Sequence, residues 1–363
     1  MHIPDNYLSP QTCAVMTAVM IPAWCISIRK VRSGIYGGEE SMNASCDGGS
    51  GIAAGRQLSM MGVAAAFSFL GMMFNIPLPG GTTGHAVGGT LLTLLVGPFG
   101  ACISISVALL LQALLFGDGG ILAFGANCFN MALVMPFVGY GVCRLLAGKK
   151  ESGSGRKIAA AGIGSYVGIN AAALCAAIEF GIQPMLFRDA SGAAMYCPYP
   201  LAISIPAMMA GHLTVFGFVE VVYTTAVYWF LARTAPDALW KSAEAVRGAC
   251  GGIPQKRWNK GKGRSAWGLL AILILLTPLG LLAEGTAWGE WGADEIAEGA
   301  GYLPSGMASG FSFEALLPDY SFGNAPEAVG YLLSAVLGAA VLVIVFKLLA
   351  AFAVPKRRGG ERS

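Results

Sequence analysis

The sequence has little charge and very little histidine. Only 12% of its 363 residues are charged and three are His, whereas 55% are hydrophobic and the mean hydropathy is +0.63. An ordinary soluble domain carries about 25% charged residues. The composition therefore excludes that class and predicts a multi-span membrane protein, for which no nucleic-acid partner is expected.

Several motifs of enzymes are also lacking. There is no GxxxxGK[ST] phosphate loop, so the chain cannot supply ATP hydrolysis itself. No His is followed directly by Glu, which argues against an HExxH metalloenzyme, and Ser50 in GGSG lies in a polar stretch where a serine protease signature has no helix to sit on. The nine Cys form no CxxC pair and lie mostly in apolar runs, so we expect packing residues rather than disulfides or a zinc site. We expect neither catalytic residues nor a prosthetic group.

Basic residues indicate the topology. They follow the first apolar run and recur at 149–157, at 233–265 and in the carboxy-terminal tail. Nine spans are predicted, at about 13–28, 57–76, 88–95, 101–116, 121–146, 159–182, 205–231, 267–283 and 329–346. Because Lys and Arg favour cytoplasmic loops, we predict an all-α polytopic bundle in the cytoplasmic membrane, with the amino terminus outside and the carboxy terminus inside. One kinked helix over 84–117 is the alternative to two spans there.

Composition divides the chain into three parts. Residues 1–232 hold seven predicted spans, residues 233–265 form a basic cytoplasmic linker, and residues 266–363 hold two spans. Between the last two spans, residues 284–327 carry eight acidic and no basic side chains, which favours an outside loop. Since this loop has no His or Cys, we expect it to be a poor metal site in its own right. The polar stretch 33–56 is predicted to be a flexible loop.

The first residues, Met1-His2-Ile3, are a candidate metal site. The α-amine, the deprotonated amide nitrogen of His2 and its Nδ1 atom can form two fused chelate rings in one plane, which leaves one equatorial position open. A planar nitrogen set selects Ni(II) or Cu(II). The alternative is that a chain begins with Met-His by chance. With the amino terminus outside, His2 is expected to be exposed there.

The other two His lie in apolar surroundings. His85 ends the segment 75–85, in which two Pro and three Gly cannot continue a helix. Irregular backbone at membrane depth occurs where it is buried or lines a cavity, so a folded-in loop is expected. His212 shares one side of a helix with Phe216 and Glu220. Buried His and Glu side chains of this kind often only satisfy each other or a neighbouring amide.

Three segments resemble a known family. MHIPDNYLSP at the start, NIPLPGGTTGH at 75–85 and the seven spans up to about 232 resemble the substrate-binding membrane component, or M component, of energy-coupling-factor transporters for nickel and cobalt. TPLGLLAEGTAWGEWG from 277, with its outside loop and last helix, is similar to the two-helix N component.

The resemblance implies a site and partners. The ligands would come from Met1, His2 and His85, and we expect Asn75, Thr82, Thr83, Gly84, His212 and Glu220 to support them. Ni(II) or Co(II) would be the transported substrate, and a transmembrane coupling (T) component with two ABC ATPases would drive import. Two alternatives stay open from the sequence: a membrane metal sensor or receptor, and an intramembrane metalloenzyme. The sequence does not separate nickel from cobalt.

Overall fold

The structure is a computed structural model, and it describes residues 1–36, 50–78, 82–148, 154–240, 260–283 and 286–353. Residues 37–49 of the predicted flexible loop and 241–259 of the basic linker lie outside the described residues. Pro79, Gly80 and Gly81 of the folded-in loop, Glu284 and the basic tail also lie outside them. The loop prediction is wrong at 33–36 and 50–56, which belong to the two flanking helices.

Long apolar helices make up most of the described chain. In order they are α1 (Pro10–Tyr36), α2 (Ser50–Met72), α3 (Gly89–Phe116), α4 (Phe124–Ala147), α5 (Ser154–Leu186), α6 (Leu201–Thr234), α7 (Lys260–Leu276), α8 (Ala293–Ala300), α9 (Ser305–Ala308) and α10 (Glu327–Ala353). Short 3-10 turns cover Pro236–Ala238, Thr277–Leu282 and Pro318–Tyr320. Among the described residues, six helices are long and apolar enough to cross a membrane, and two shorter apolar helices cover Gln57–Met72 and Ala266–Leu282. The helical class is confirmed, whereas the count of nine spans and the orientation stay predictions.

Helix α3 reverses direction at Gly97. This residue has φ 78° and ψ 164°, which no helical residue adopts, and Pro98 follows it. A straight helix of 28 residues would be about 42 Å long. The residues just before and just after α3, His85 and Asp118, both lie within 3.2 Å of the same atom of His2. The segment therefore consists of two antiparallel pieces, a short one to Val96 and a long one from Pro98.

The folded-in loop is a β-hairpin. Strands β1 (Ile76–Leu78) and β2 (Thr82–Gly84) pair antiparallel, with Ile76 opposite Gly84. This hairpin is a departure from the all-α prediction, and it follows from Pro and Gly, which exclude a helix here. Gly84 has no room for a side chain, because a Cβ atom there would lie 2.7 Å from the ring of Phe216.

The carboxy-terminal part packs directly on the rest of the chain. Helix α10 lies against α2, where a Cβ atom at Gly62 would meet Phe346 at 2.9 Å. The Tyr331 hydroxyl donates a hydrogen bond of 2.6 Å to the carbonyl of Met73 at the end of α2. Residues 286–326 consequently lie over the amino terminus and the hairpin.

Candidate metal centre

The amino-terminal segment is buried rather than exposed. Met1 is 6%, His2 2% and Ile3 0% accessible to solvent. The expectation that His2 is exposed outside is therefore wrong. The segment passes beneath residues 286–326 of the carboxy-terminal module, which is the part of the chain from residue 266. The Tyr7 hydroxyl donates a hydrogen bond to the Trp291 carbonyl there.

Ile3 is fixed on both sides by backbone and amide hydrogen bonds. Its N–H donates to Oδ1 of Asn127 at 2.7 Å, and its carbonyl accepts from Nδ2 of the same Asn127 at 3.0 Å. The N–H of Gly120 donates to that carbonyl as well, at 2.8 Å. These bonds hold the backbone next to His2 in one position. In the sequence, Asn127 is only a polar residue within a predicted span.

Asp5 joins the amino-terminal segment to the start of α4. Its carboxylate accepts hydrogen bonds from the N–H groups of Ile121, Leu122 and Ala123 at 2.8–3.3 Å. A carboxylate at this position satisfies N–H groups that have no partner within the helix and interacts favourably with the helix dipole. The polar start of the sequence is thus a structural anchor.

The rings of His2 and His85 meet beneath this anchor. Nδ1 of His2 lies 3.2 Å from Nε2 of His85, and the ring centroids are 4.9 Å apart. Two metal–nitrogen bonds of about 2 Å at right angles place their nitrogens about 2.8 Å apart. The observed separation of 3.2 Å is close to that distance, so both nitrogens can bind one ion after a small adjustment.

Both imidazoles are neutral at neutral pH. Burial lowers the pKa of His2 to about 4, against the raising effect of nearby Glu290. Burial also lowers the pKa of His85 to about 3, and the neighbouring His2 contributes in the same direction. A neutral imidazole has a free lone pair for a metal, so the site is suited to cations rather than anions.

Glu220 fixes the backbone that follows His85. Its Oε2 atom accepts hydrogen bonds from the N–H groups of Val87 at 2.9 Å and Gly88 at 3.0 Å. Gly88 has φ 74°, a conformation that favours glycine. The Thr224 hydroxyl donates to the other carboxylate oxygen, Oε1, at 3.2 Å. Glu220, on α6, therefore positions His85. It is not bonded to His212 on the same helix face, whose ring is bonded to Met208 instead.

The remaining predicted residues surround the His pair. His212 is bonded through Nδ1 to the carbonyl of Met208 at 2.8 Å and lines a small cavity of about 20 Å³ together with Met1 and His85. The Thr82 hydroxyl accepts a hydrogen bond from the backbone N–H of Trp288 at 2.8 Å. The other two, Asn75 and Thr83, line the cavities on either side of His85.

Glu290 of the carboxy-terminal module closes the site. A single oxygen, Oε1, accepts hydrogen bonds from the α-amine of Met1 at 2.7 Å and from the N–H of His2 at 2.9 Å. Burial alone would raise the pKa of this carboxyl, but the positive amino terminus and the two His lower it to about 2. Within the described part of the chain, His2, His85 and Glu290 are the one group of potential ligand side chains that lie within 4.8 Å of one another.

A second carboxylate approaches His2 from the end of α3. Oδ1 of Asp118 lies 3.0 Å from Nδ1 of His2, and its Oδ2 atom accepts hydrogen bonds from Tyr320 and from Gln112. From the sequence, Asp118 with Gly119 and Gly120 is predicted only to form a turn outside. A lone acid between two apolar runs was the available signal, whereas nothing in the sequence pointed to Tyr320.

A cavity of about 420 Å³ opens beside these groups. The first module, residues 1–232, contributes the His pair and Asp118 to its lining. The second module, from residue 266, contributes Glu290, Asp319, Tyr320 and Glu327. The cavity therefore lies between the two modules and carries carboxylates on both sides.

Comparison with known proteins agrees with this arrangement. Residues 2–238 match the CbiM family, described as the cobalt uptake substrate-specific transmembrane region. The chain belongs to the CbiM family. In addition, residues 262–354 match the PDGLE domain, so the CbiM region and a PDGLE domain are fused in one chain. The resemblance to an M component joined to an N-like module is confirmed.

The relatives of this CbiM protein share both parts. The probable fused nickel transport protein LarMN of Lactiplantibacillus plantarum is 47% identical, covering 96% of this chain and 97% of its own. The fused nickel transport protein NikMN of Rhodobacter capsulatus is 43% identical over 99% of this chain and 100% of its own. A crystal structure of a truncated transition metal transporter is 51% identical, with a TM-score of 0.54, and covers 64% of this chain and 98% of its own.

These comparisons bear on the class of protein. The family description and the relatives' names are those of transport proteins, which confirms the expectation of a multi-pass membrane transport protein that is not an enzyme.

Proposed function

We propose that this CbiM-family protein captures Ni(II) or Co(II) outside the cytoplasmic membrane as the substrate-specific component of an energy-coupling-factor importer. The proposed set has four nitrogen ligands: the α-amine, the amide nitrogen and Nδ1 of His2, and Nε2 of His85. The observation that carries the proposal is the distance of 3.2 Å between the last two. Three of them belong to fused chelate rings, and His85 supplies the fourth equatorial position. Four nitrogens in a plane suit Ni(II).

The remaining predicted residues support these ligands. Glu220 holds the backbone after His85, Gly84 admits the ring of Phe216, and Thr82 ties the hairpin to the second module. Outer residues of this kind orient metal ligands and tune their affinity. His212 belongs to the same support, because its ring lines the small cavity beside Met1 and His85.

Import by this chain requires partners. No phosphate-binding loop is present in the sequence, so we infer that a T component and two ABC ATPases supply the energy. We assign capture to residues 1–232 and a loading role to residues 266–363, joined by the linker 233–265. Contact between the modules supports loading, because Trp288 and Glu290 of the second module bond to Thr82 and to the amino terminus.

Uptake of radioactive nickel tests the proposal. In cells that also contain the coupling protein and the ATPases, the intact chain should accumulate metal only while ATP is available. A His85→Ala variant, present in the membrane at equal amount, should accumulate none. Equal uptake by the two chains, or uptake without the ATPases, would contradict the proposed function.

A further inference from the structure

The position of Glu290 Oε1 conflicts with a bound ion. The N–H of His2 points at this oxygen over 2.9 Å. When an amide nitrogen binds a metal, its proton leaves and the lone pair points along the former N–H bond. The α-amine faces the same oxygen at 2.7 Å. Both nitrogens are therefore aimed at one point, and Glu290 occupies it.

A bound ion and the Glu290 oxygen cannot occupy these positions at the same time, because they would be too close. A metal–nitrogen bond is about 2 Å long, so an ion on the line from the His2 nitrogen to Oε1 would lie about 1 Å from the oxygen. Metal–oxygen bonds are about 2 Å or longer. The carboxylate must leave this position when an ion binds the two nitrogens.

The structure offers Glu290 a place to turn to. Its side chain is 20% accessible, whereas the side chain of Met1, whose α-amine it contacts, is 1% accessible. It also lines the cavity of about 420 Å³ between the modules. The backbone around it is held, because the Trp288 N–H bonds to Thr82 and the Trp291 carbonyl accepts from Tyr7. A rotation of the side chain is thus sufficient.

We propose that Glu290 is a displaceable place-holder for the metal, supplied by the PDGLE domain. In the metal-free protein its carboxylate keeps the two ligand nitrogens, with their protons, directed at one shared point. An arriving divalent cation replaces one proton of the amine and the amide proton, which pass to solvent, while the carboxylate turns into the cavity. This role rests on the proposed function and explains why an acidic segment without His or Cys lies over the site.

Stopped-flow binding of Ni(II) to the purified full-length protein tests the role. If the carboxylate must leave first, the observed rate in the wild type reaches a plateau as Ni(II) increases. Glu290→Ala should raise that plateau by at least about 10-fold, since a charge-assisted hydrogen bond accounts for a factor of this size. Glu290→Gln, which keeps the shape but not the charge, should lie between them. Glu298→Ala, an exposed acid of the same domain, should match the wild type.

The visible absorption spectrum of bound Ni(II) provides the second readout. Because Glu290 is absent from the metal-bound ligand set, the spectrum should be the same in the wild type and in Glu290→Ala. A changed spectrum would make Glu290 a ligand, and a plateau that is missing in the wild type or unaltered in Glu290→Ala would exclude displacement. Each result overturns the place-holder role and leaves the proposed function standing. Failure of the wild type to bind Ni(II) would overturn both.

Discussion

Nε2 of His85 lies 3.2 Å from Nδ1 of His2, although 83 positions of sequence separate the two residues. The hairpin brings His85 to this point, and Asn127 holds the backbone on the other side of His2. The pair defines the open edge of a planar nitrogen site. In the metal-free protein, Glu290 lies on the α-amine and the amide nitrogen of His2, the other two nitrogens of the proposed set.

The three His should differ in their contributions. His85→Ala removes a proposed ligand and should weaken Ni(II) binding by more than about 100-fold. His212→Ala should cost at most about 10–100-fold, which is typical of a residue that supports a ligand, because its ring is bonded to Met208 instead. Isothermal titration calorimetry on both purified variants makes the comparison. Loss of metal in His212→Ala with retention in His85→Ala would reverse the assignment.

Asn127 should act as a positioning residue. Asn127→Ala leaves the N–H of Ile3 without its partner, so the backbone beside His2 loses its fixed position. We expect Ni(II) affinity to fall by about 10–100-fold. Asn170→Ala is the matched control, since Asn170 is also buried but bonds within its own helix, to Tyr166. Equal losses in both variants would show a general effect on folding.

A chain truncated after about Arg233 should fold but transport poorly. The crystal structure of a truncated relative covers 64% of this chain, which supports independent folding of the first module. Without Glu290 and Trp288, the amino terminus and the hairpin lose their contacts with the second module. Uptake of radioactive nickel, normalised to membrane-inserted protein, should fall strongly in cells that contain the partners. Uptake equal to that of the full chain would make the second module dispensable for loading.

Stability of the metal-free protein should decrease in mild acid. Burial lowers the pKa of His2 to about 4 and that of His85 to about 3, from an ordinary value of 6.5. Below about pH 6.5 the unfolded chain therefore binds protons that the folded chain does not, so stability is full above that pH and is lost as pH falls towards 4 and 3. Thermal unfolding in detergent between about pH 7 and pH 5 measures this.

The control for the pH experiment is a variant without one imidazole. His85→Asn removes one of the buried imidazoles, so its unfolding temperature should depend less steeply on pH. An equally steep dependence would assign the acid sensitivity to other groups.

The sequence predicts the parts of the site that depend on local chemistry. Met1 and His2 form a chelate through their own covalent geometry, and Pro and Gly around residue 80 exclude a helix before His85. The break at Gly97 was visible as a Gly-Pro pair between two apolar runs. These features need no knowledge of tertiary packing.

The other parts depend on contacts between distant segments. Glu290 lies 288 positions from His2, and Asn127 lies 124 positions from Ile3. The bonds of Glu290 depend on the packing of α10 on α2, which carries residues 286–326 over the amino terminus, whereas those of Asn127 join α4 to the amino-terminal segment. The predicted topology placed the amino terminus and Glu290 on one side of the membrane and Asn127 in a span, but it did not specify which acid would meet which nitrogen. The burial of His2 follows from the same packing and was mispredicted for that reason.

Changing the free amino terminus tests most directly whether the α-amine is a metal ligand. Insertion of one residue between Met1 and His2 changes the size of the chelate rings and moves the α-amine away from the His2 nitrogens. Calorimetric titration of Ni(II) should detect no high-affinity binding to this variant or to a chain with an amino-terminal tag, whereas a carboxy-terminal tag should leave the affinity unchanged. Unchanged affinity in the inserted or amino-terminally tagged protein would contradict a site built on the α-amine.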